Sequence, residues 1–232
     1  MKKLLLATSV IISGLFFTNN MKAQDCDFYF PTEKGTIVET TSYDKKNKET
    51  SKYYQEVLDY SKSNGVTEVK IETRIDEEGI DTLGTHQFTL RCENGEFYVN
   101  MNSYLDKDAL GKYQGMDMEI DSDNMTMPSN LSDGQTLNDG RVSITISNSG
   151  IKMMTMTVHV TNRKVEGFEK ITTPAGTFDC VKISFDSEMK MIFKIKTSGV
   201  QWFCKEIGVV KSENYDKKGK LSGTSMITKI TK

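Results

Sequence analysis

The amino-acid sequence predicts an all-β protein: an antiparallel meander forming a strongly curved sheet or half-open β-barrel of about 11–13 strands, with at most one short helix. Turn signals recur about every 10 to 20 residues, and the stretches between them are short and rich in β-branched residues. Many of these stretches alternate apolar and polar residues, as half-buried strands do. No Pro-rich or Ser-rich linker divides the chain, which favours one domain.

Residues 1–23 have the composition of a secretory signal peptide. Lys2 and Lys3 precede an apolar run over 4–17, and a short polar stretch follows and ends at Ala23. The run is too short for a confident membrane span, and no later segment approaches the length of about 18 apolar residues that a span needs. The sequence therefore predicts export and no transmembrane segment in the mature chain.

Two sites of processing compete near this segment. A lipid anchor on Cys26 would require a small residue before the cysteine, but the charged Asp25 stands there. We therefore predict cleavage near Ala23 and a soluble mature chain, in the periplasm or outside the cell, with a single all-β domain over 24–232.

The charge balance argues against a nucleic-acid surface. The leader holds three of the 30 basic residues and none of the 32 acidic ones, so the mature chain has 27 basic against 32 acidic residues, a net charge of −5. Binding to phosphates needs a basic stripe, whereas these charges are mixed in sign along the chain. We expect no nucleic-acid partner.

Three segments show the alternation of a strand most clearly. Successive strand side chains point to opposite faces, so each segment collects its apolar residues on one face. The segments are EVKIETRI with Val69, Ile71, Thr73 and Ile75; HQFTLRC with Phe88, Leu90 and Cys92; and MTMTVHVT with Met154, Met156, Val158 and Val160.

The turns carry their own residue signals. Asn64-Gly65 and Asn94-Gly95 predict two-residue hairpin turns, because both central residues of the favoured turn need positive φ. DEEG at 76–79 and TPAG at 173–176 suit a type I turn followed by glycine. DKKN at 44–47 and DKKG at 216–219 follow the same rule, with Asp able to bond the turn backbone.

The repeated YDKK of these last two turns suggests a hypothesis about the ends of the chain. Glu33 to Lys48 aligns with Glu206 to Lys220 with one gap, as two amphipathic hairpin strands of the same kind would. We expect the first and last hairpins to lie close together and to help close the curve of the sheet.

Two segments depart from the strand pattern. YLDKDALGKY at 104–113 predicts one helical turn, with Leu105 and Ala109 four residues apart and Asp106 as the cap. NMTMPSNLSDGQTLNDG at 124–140 predicts a long ordered loop, a kind of segment that is often functional or crosses the mouth of a sheet.

Four cysteines, Cys26, Cys92, Cys180 and Cys204, lie in the exported part, where disulfides form. Four cysteines allow three connectivities, which the sequence alone does not separate. We favour Cys180 with Cys204, on neighbouring predicted strands, and Cys26 with Cys92.

Residues for catalysis are scarce. Only His86 and His159 are present, neither has a metal-binding spacing, and no GxSxG elbow or phosphate-binding glycine loop occurs. An exported cysteine belongs more often to a disulfide than to a Cys-His nucleophile pair. We expect a protein that is not an enzyme, with no catalytic residues, no bound cofactor and no metal.

Methionine is unusually arranged. The mature chain has 11, and eight form Met-x-Met pairs whose thioethers share a strand face: Met116/Met118, Met125/Met127, Met154/Met156 and Met189/Met191. Three interpretations remain: ordinary core filling, a deformable apolar surface for a lipid or other hydrophobic ligand, and a Cu(I) site. The expected ligand face, with Trp202 as an aromatic anchor, consists of Met116, Met118, Met154, Met156, Val158, Met189, Met191 and Trp202.

Three longer segments resemble a known family. RKVEGFEKITTPAGTFDCVKI at 163–183, VQWFCKEIGVVKSENYDKKGKL at 200–221 and the opening GTIVETTSYDKKNK resemble the TapB-like family of exported bacterial proteins, a domain of unknown function. The resemblance implies secretion to the envelope and an all-β fold similar to the curved sheets of LolA-type lipoprotein carriers. It brings no catalytic residues. Cys204 stands in place of the usual small residue, and Glu206 where glycine is expected.

Together these features predict a non-catalytic envelope protein that holds a lipid or hydrophobic small molecule on the concave face of the sheet. The competing interpretation is a structural or protein-interaction module of the envelope with a filled core, whose partner would be another envelope protein. A curved sheet of this size must either fill its concave side with side chains or leave a cavity there.

Overall fold

The computed structural model describes residues 27–77, 80–99, 101 and 116–232. All of its regular structure is β, and no α-helix occurs in these ranges. The predicted leader at 1–23, the predicted helical turn at 104–113 and the last two residues of the turn predicted at 76–79 lie outside the described residues.

Thirteen antiparallel strands form one nearly closed, barrel-shaped sheet, which confirms the predicted fold class. Their order across the sheet is β6-β8-β9-β10-β11-β12-β13-β1-β2-β3-β4-β5-β7. The strands are β1 (Ile37–Asp44), β2 (Glu49–Ser63), β3 (Val66–Glu77), β4 (Ile80–Glu93), β5 (Glu96–Val99), β6 (Asp117–Asp123), β7 (Met125–Pro128), β8 (Gly140–Asn148), β9 (Ile151–Thr173), β10 (Gly176–Lys190), β11 (Lys194–Cys204), β12 (Gly208–Tyr215) and β13 (Leu221–Thr231).

Alternation sets which side of each strand is buried. In β8, Val142, Ile144 and Ile146 are buried, while the residues between them are partly exposed. In β3, Val69 and Ile71 are fully buried and Lys70 between them is exposed. The predicted apolar face of β3 is therefore the packed one, and β8 follows the same rule, because successive side chains in a strand point to opposite faces.

The hairpin turns have the predicted backbone. Asn64 and Gly65 have φ of 51° and 78°, and Asn94 and Gly95 have φ of 54° and 79°. These pairs join β2 to β3 and β4 to β5, and the positive φ at both residues matches the right-handed twist of the flanking strands.

Glu206 occupies the position where the family resemblance leads us to expect glycine. Its φ is 61°, in the left-handed region that non-glycine residues rarely adopt. Its backbone nitrogen donates a hydrogen bond to Phe28 O at 2.7 Å. This bond ties the β11–β12 turn to the first described residues of the chain.

The first and last hairpins are neighbours, as hypothesised. β1 pairs with β13, with Asp44 opposite Gly223, so the two YDKK turns lie side by side. In each turn one Asp oxygen accepts two backbone N–H bonds: Asp44 from Lys46 and Lys48, and Asp216 from Lys218 and Lys220. The N-terminal and C-terminal halves of the sheet therefore join through these hairpins.

The two edge strands of the sheet are consecutive in sequence. β6 and β7 are the outermost strands of the order, yet only Asn124 separates them in sequence. Met101 N donates to Asn124 Oδ1 at 3.0 Å, and Asn138 Nδ2 donates to Asn124 O at 3.1 Å. The predicted loop at 124–140 thus contains a strand, β7, and forms part of the closure.

The rest of that loop runs along β9. Gly134 N donates to Val165 O, and Val165 N donates to Gln135 O, both at 2.9 Å. Thr136 pairs with Lys164 as an isolated bridge. These backbone bonds hold the segment ordered, as the sequence predicts, and bring the chain after β7 onto a strand that is far from β7 in the sheet order.

Two packed clusters fill much of the inside. The first joins the N-terminal Phe28, Tyr29 and Phe30 to apolar residues of many strands, including Val165 of β9 and Val210 of β12. The second is rich in methionine and β-branched residues from β7, β8 and β9, with Met101. Cys180 and Cys204 form a disulfide between β10 and β11, next to the paired residues Val181 and Phe203, which confirms that predicted pair.

Cys92 is fully buried and is also disulfide-bonded. Its predicted partner, Cys26, lies outside the described residues, so the second pairing stays a prediction.

Candidate functional site

An open cavity of about 340 Å³ lies inside the curve of the sheet. Its walls come from strands that are distant in the sheet order, such as β4 and β11, so the sheet must bend around it. The lining residues are Tyr29, Phe30, Val38, Thr40, Tyr53, Gln55, Phe88, Leu90, Phe97, Val99, Gln201, Phe203, Ile207, Gly208, Val209, Ser212 and Ser225.

Alternation explains why these side chains reach the cavity. Phe88 and Leu90 lie on the face of β4 that the sequence predicts to be packed, and Leu90 pairs with Val69 of β3. In β11, Gln201 and Phe203 line the cavity, and Trp202 between them does not. Residues two apart in a strand share a face, so each lining strand contributes alternate residues.

A few polar groups stand among the apolar walls. Ser212 Oγ and Ser225 Oγ lie 2.7 Å apart and share a hydrogen bond between β12 and β13. Gln55 of β2 and Gln201 of β11 also line the cavity. An apolar cavity with a small number of polar groups is the usual form of a site that orients an amphipathic ligand.

A larger groove of about 760 Å³ adjoins the cavity at the end of the sheet that bears the β9–β10 and β11–β12 turns. Tyr29, Phe203 and Ile207 line both spaces. The Cys180–Cys204 disulfide forms part of the groove wall. These three side chains therefore form the boundary between the groove and the cavity.

Aromatic packing holds this boundary. The Tyr29 ring meets the Phe203 ring edge-on, with centroids 6.2 Å apart, and meets the Phe97 ring at 5.8 Å. Burial, and then the nearby charge of Asp27, raise the pKa of the Tyr29 phenol to about 12. Tyr29 is therefore a neutral hydrogen-bonding group at any physiological pH, which suits an apolar site.

Most of the predicted ligand face lies elsewhere, in the methionine-rich second cluster. Met156 and Val158 are buried there, and Met116, Met154 and Met189 pack against it. Met118 lies opposite Ile146, and Ile146 lies opposite Met154, so Met118 and Met154 share one face of the sheet. A void of about 10 Å³, close to the space of one water, is lined by Met125 and Val160 of this cluster and by Gln201 and Phe203 of the cavity.

The remaining predicted residues are apart from that cluster. Met191 is exposed at the β10–β11 turn. Trp202 belongs to the first cluster, and its Nε1 donates to Glu169 Oε1 at 2.7 Å. The ammonium groups of Lys182 and Lys211, from the two flanking strands, lie 5.3 and 4.5 Å from its ring centroid. Trp202 is thus an anchor between strands, with its N–H satisfied by a carboxylate.

The sequence did not identify the cavity residues, because their apolar pattern is the same as that of an ordinary packed strand face. Phe88 and Leu90 stand on a predicted apolar face, but nothing in the sequence distinguishes such a face from a filled core. Phe97 and Phe203 come from strands that the sequence does not place side by side. The unusual spacing of the Met pairs predicted a ligand face there, whereas the position of the open cavity depends on the curvature of the sheet.

The described residues hold no group of three or more His, Cys, Asp or Glu side chains that could bind a metal ion. Ligation of Cu(I) by Met thioethers alone, the third interpretation of the Met pairs, is not tested by this finding. No helix in the described ranges has the length and hydrophobicity to cross a membrane.

Sequence and structure comparisons define the class of protein. The DUF3108-like family model matches residues 33–227, so the chain belongs to the DUF3108-like family. The expectation of a family of unknown function holds, but the matching family is this one and the TapB-like name is not supported. No curated protein has a significant match.

Two solved structures share the fold. One is a candidate exported protein with a YmcC-like fold from Bacteroides fragilis, with 25% identity, a TM-score of 0.74, and coverage of 89% of this chain and 100% of that one. The other is a candidate lipoprotein from Parabacteroides distasonis, with 23% identity, a TM-score of 0.75, and coverage of 90% and 100%. The nearly closed sheet is therefore a fold that other chains adopt over their full length.

Proposed function

We propose that the protein is an exported, non-catalytic binding protein that holds a hydrophobic or amphipathic ligand, such as a lipid, inside its curved sheet. The observation that carries the proposal is the open cavity of about 340 Å³ beside Phe88, Phe97 and Phe203. Ligand pockets generally measure about 300–1,000 Å³ and are mostly apolar with a few polar groups. The cavity meets both conditions.

The polar groups suggest how an amphipathic ligand would lie. Gln55, Gln201 and the Ser212–Ser225 pair provide hydrogen bonds for a polar head, and the aromatic side chains cover an apolar body. The adjoining groove is the proposed entrance, because it shares Tyr29, Phe203 and Ile207 with the cavity. Export and cleavage near Ala23 belong to the same proposal, and the candidate exported relative supports export.

The direct test is native mass spectrometry of the protein purified from the envelope without detergent, followed by lipid extraction. We expect one bound ligand per chain. We also expect the mass of the protein to equal that of a chain that starts at Gln24. A ligand-free protein that also takes up no fatty acid or apolar fluorescent probe would contradict the proposed function.

A substitution that fills the cavity tests whether the ligand binds there. Val209 on β12 lines the cavity, whereas Val200 on the neighbouring β11 does not, and both are partly buried. We expect Val209→Trp to lower probe binding about tenfold or more, because the indole occupies the volume that the ligand needs. Val200→Trp is the matched control and should bind normally. Equal binding by both variants would place the ligand outside this cavity.

A further inference from the structure

The turn between β10 and β11 exposes an apolar tip. Ile192 is 89% exposed and Phe193 is 80% exposed, and Met191 and Ile195 beside them are 44% and 57% exposed. A hairpin tip normally carries small and polar residues, so four large apolar side chains at one tip need a physical reason.

Exposed apolar side chains are concentrated at one end of the sheet. Of the eleven large ones among the described residues, nine lie on β6, at the β8–β9 and β10–β11 tips, or beside the β12–β13 turn: Met118, Ile120, Ile151, Met153, Met191, Ile192, Phe193, Ile195 and Leu221. The pairing registers place all of these toward the same end. Such concentration marks an interaction surface, whereas single exposed residues do not.

Lysines surround the apolar tip at that end. The β12–β13 turn is adjacent to it through β11, and the β1–β2 turn follows next through β13. Together the ranges 44–49, 188–196 and 216–220 hold nine lysines against four acidic residues, a surplus of five positive charges. The whole sequence has a net charge of −2, so these three turns have the opposite sign, whereas β6 at the edge of the sheet carries Asp117, Glu119, Asp121 and Asp123.

The tip also projects beyond β12, its neighbour on the side of the lysine-rich turns, whereas β9 on the other side continues to Ile151. β10 and β11 remain paired as far as Lys190 and Lys194, whereas the pairing of β11 with β12 ends at Ser198 with Tyr215. The β10–β11 hairpin therefore continues four residues further, which corresponds to about 13 Å of strand. Ile192 and Phe193 lie at its far end, with the lysine-rich turns set back from them.

We propose that this end docks on an anionic phospholipid surface, with Ile192 and Phe193 inserted among the lipids and the lysines on the headgroups. Proteins that bind the membrane interface combine apolar side chains buried about 5–10 Å deep with flanking lysines. The acidic strand β6 lies beyond β8 and β9 from the tip and bounds the surface on that side. This inference does not rest on the cavity, whose adjoining groove lies at the opposite end of the sheet.

Vesicle binding tests the proposal with the mature chain. The probes are vesicles of phosphatidylcholine alone and vesicles of equal parts phosphatidylcholine and phosphatidylglycerol, compared by co-sedimentation. We expect binding to the anionic vesicles only, and weaker binding at high salt because the lysine contribution is screened. Absence of binding to both vesicles, or equal binding to both, would overturn the proposal.

Substitutions at the tip separate the apolar contribution. Ile192→Ser with Phe193→Ser should weaken binding to the anionic vesicles about tenfold or more, because two inserted apolar side chains are lost. Tyr60→Ser is the matched control, since Tyr60 is exposed near the opposite end and should be neutral. Phe193→Trp in a Trp202→Phe background reports depth: its fluorescence should be quenched by brominated acyl chains. Unquenched fluorescence, or loss of binding by the control, would contradict insertion of the tip.

Discussion

At the scale of single residues, Asp44 and Asp216 explain the repeated YDKK. Each carboxylate accepts backbone N–H bonds from the second and fourth residues after it, and Asn47 and Gly219 have positive φ of 59° and 71° in the two turns. The repeat is therefore a turn rule used twice, and duplication of a module is not needed. Each copy also carries three lysines, which the turn rule does not require and which give the two turns their positive charge.

The same hydrogen bonds predict a pH dependence. The backbone bond from Lys220, and then that from Lys218, lower the pKa of Asp216. A carboxyl with a lowered pKa in the folded state stabilises the fold above its unfolded pKa of about 3.9, and this contribution is lost as the pH falls through the folded pKa. Asp216→Ala should therefore be less stable than the wild type at neutral pH, and the difference should shrink in acid.

Urea denaturation across this pH range measures the effect. Asp44→Ala is the matched comparison, since the pKa of Asp44 is lowered by the equivalent bonds from Lys48 and Lys46. A stability difference that stays constant into strong acid would show that the charge of the Asp is unimportant.

At the scale of elements, the hairpins that the sequence predicts best are those with a local turn code. Asn64-Gly65 and Asn94-Gly95 need only their own backbone to specify the turn, and both are found. The sequence did not predict β6 and β7 as two strands. Asn124 between them carries no turn signal, and each strand pairs with a partner that is distant in sequence. Local chemistry predicts hairpins, whereas long-range pairing depends on the whole sheet.

The Cys180–Cys204 disulfide links one such strand pair and gives a stability prediction. The bridge closes a loop with a sequence separation of 24. Cys180→Ser with Cys204→Ser should lower the free energy of unfolding by about 2–4 kcal/mol, because the unfolded chain regains the freedom that the bridge removes. Guanidinium denaturation of the two proteins without reductant measures this. An unchanged midpoint would mean that the bridge constrains little of the unfolded chain.

At the scale of the whole molecule, Arg163 holds the closure between β9 and the β7 region. Its side chain is only 3% exposed, and its Nη1 donates to Asn138 O at 2.8 Å and to Thr126 O at 3.1 Å. Asn138 Oδ1 in turn accepts a bond from Thr126 N at 2.7 Å. A buried cation thus binds carbonyl groups from segments that the sheet order places far apart.

Removal of this guanidinium should loosen the closure. Arg163→Met keeps an apolar stem but leaves the Thr126 and Asn138 carbonyl groups without this charged donor, at a cost of about 2–3 kcal/mol. Lys164→Met is the matched control, because Lys164 is exposed and makes a surface contact with Glu166. Denaturation curves should show a large loss for the first variant and almost none for the second. Equal losses would refute a special role for Arg163.

The sequence by itself determined the strand faces and the hairpin turns, because alternation and turn chemistry act within a few residues of each other. It favoured the Cys180–Cys204 pair, which the structure then showed. It also predicted that the first and last hairpins meet. Only the tertiary structure decided where the sheet is filled and where it is open: methionines pack one part, and aromatic side chains surround the cavity in another. Curvature brings distant strands together, and the apolar pattern of any one strand is the same whether the space in front of it is occupied or empty.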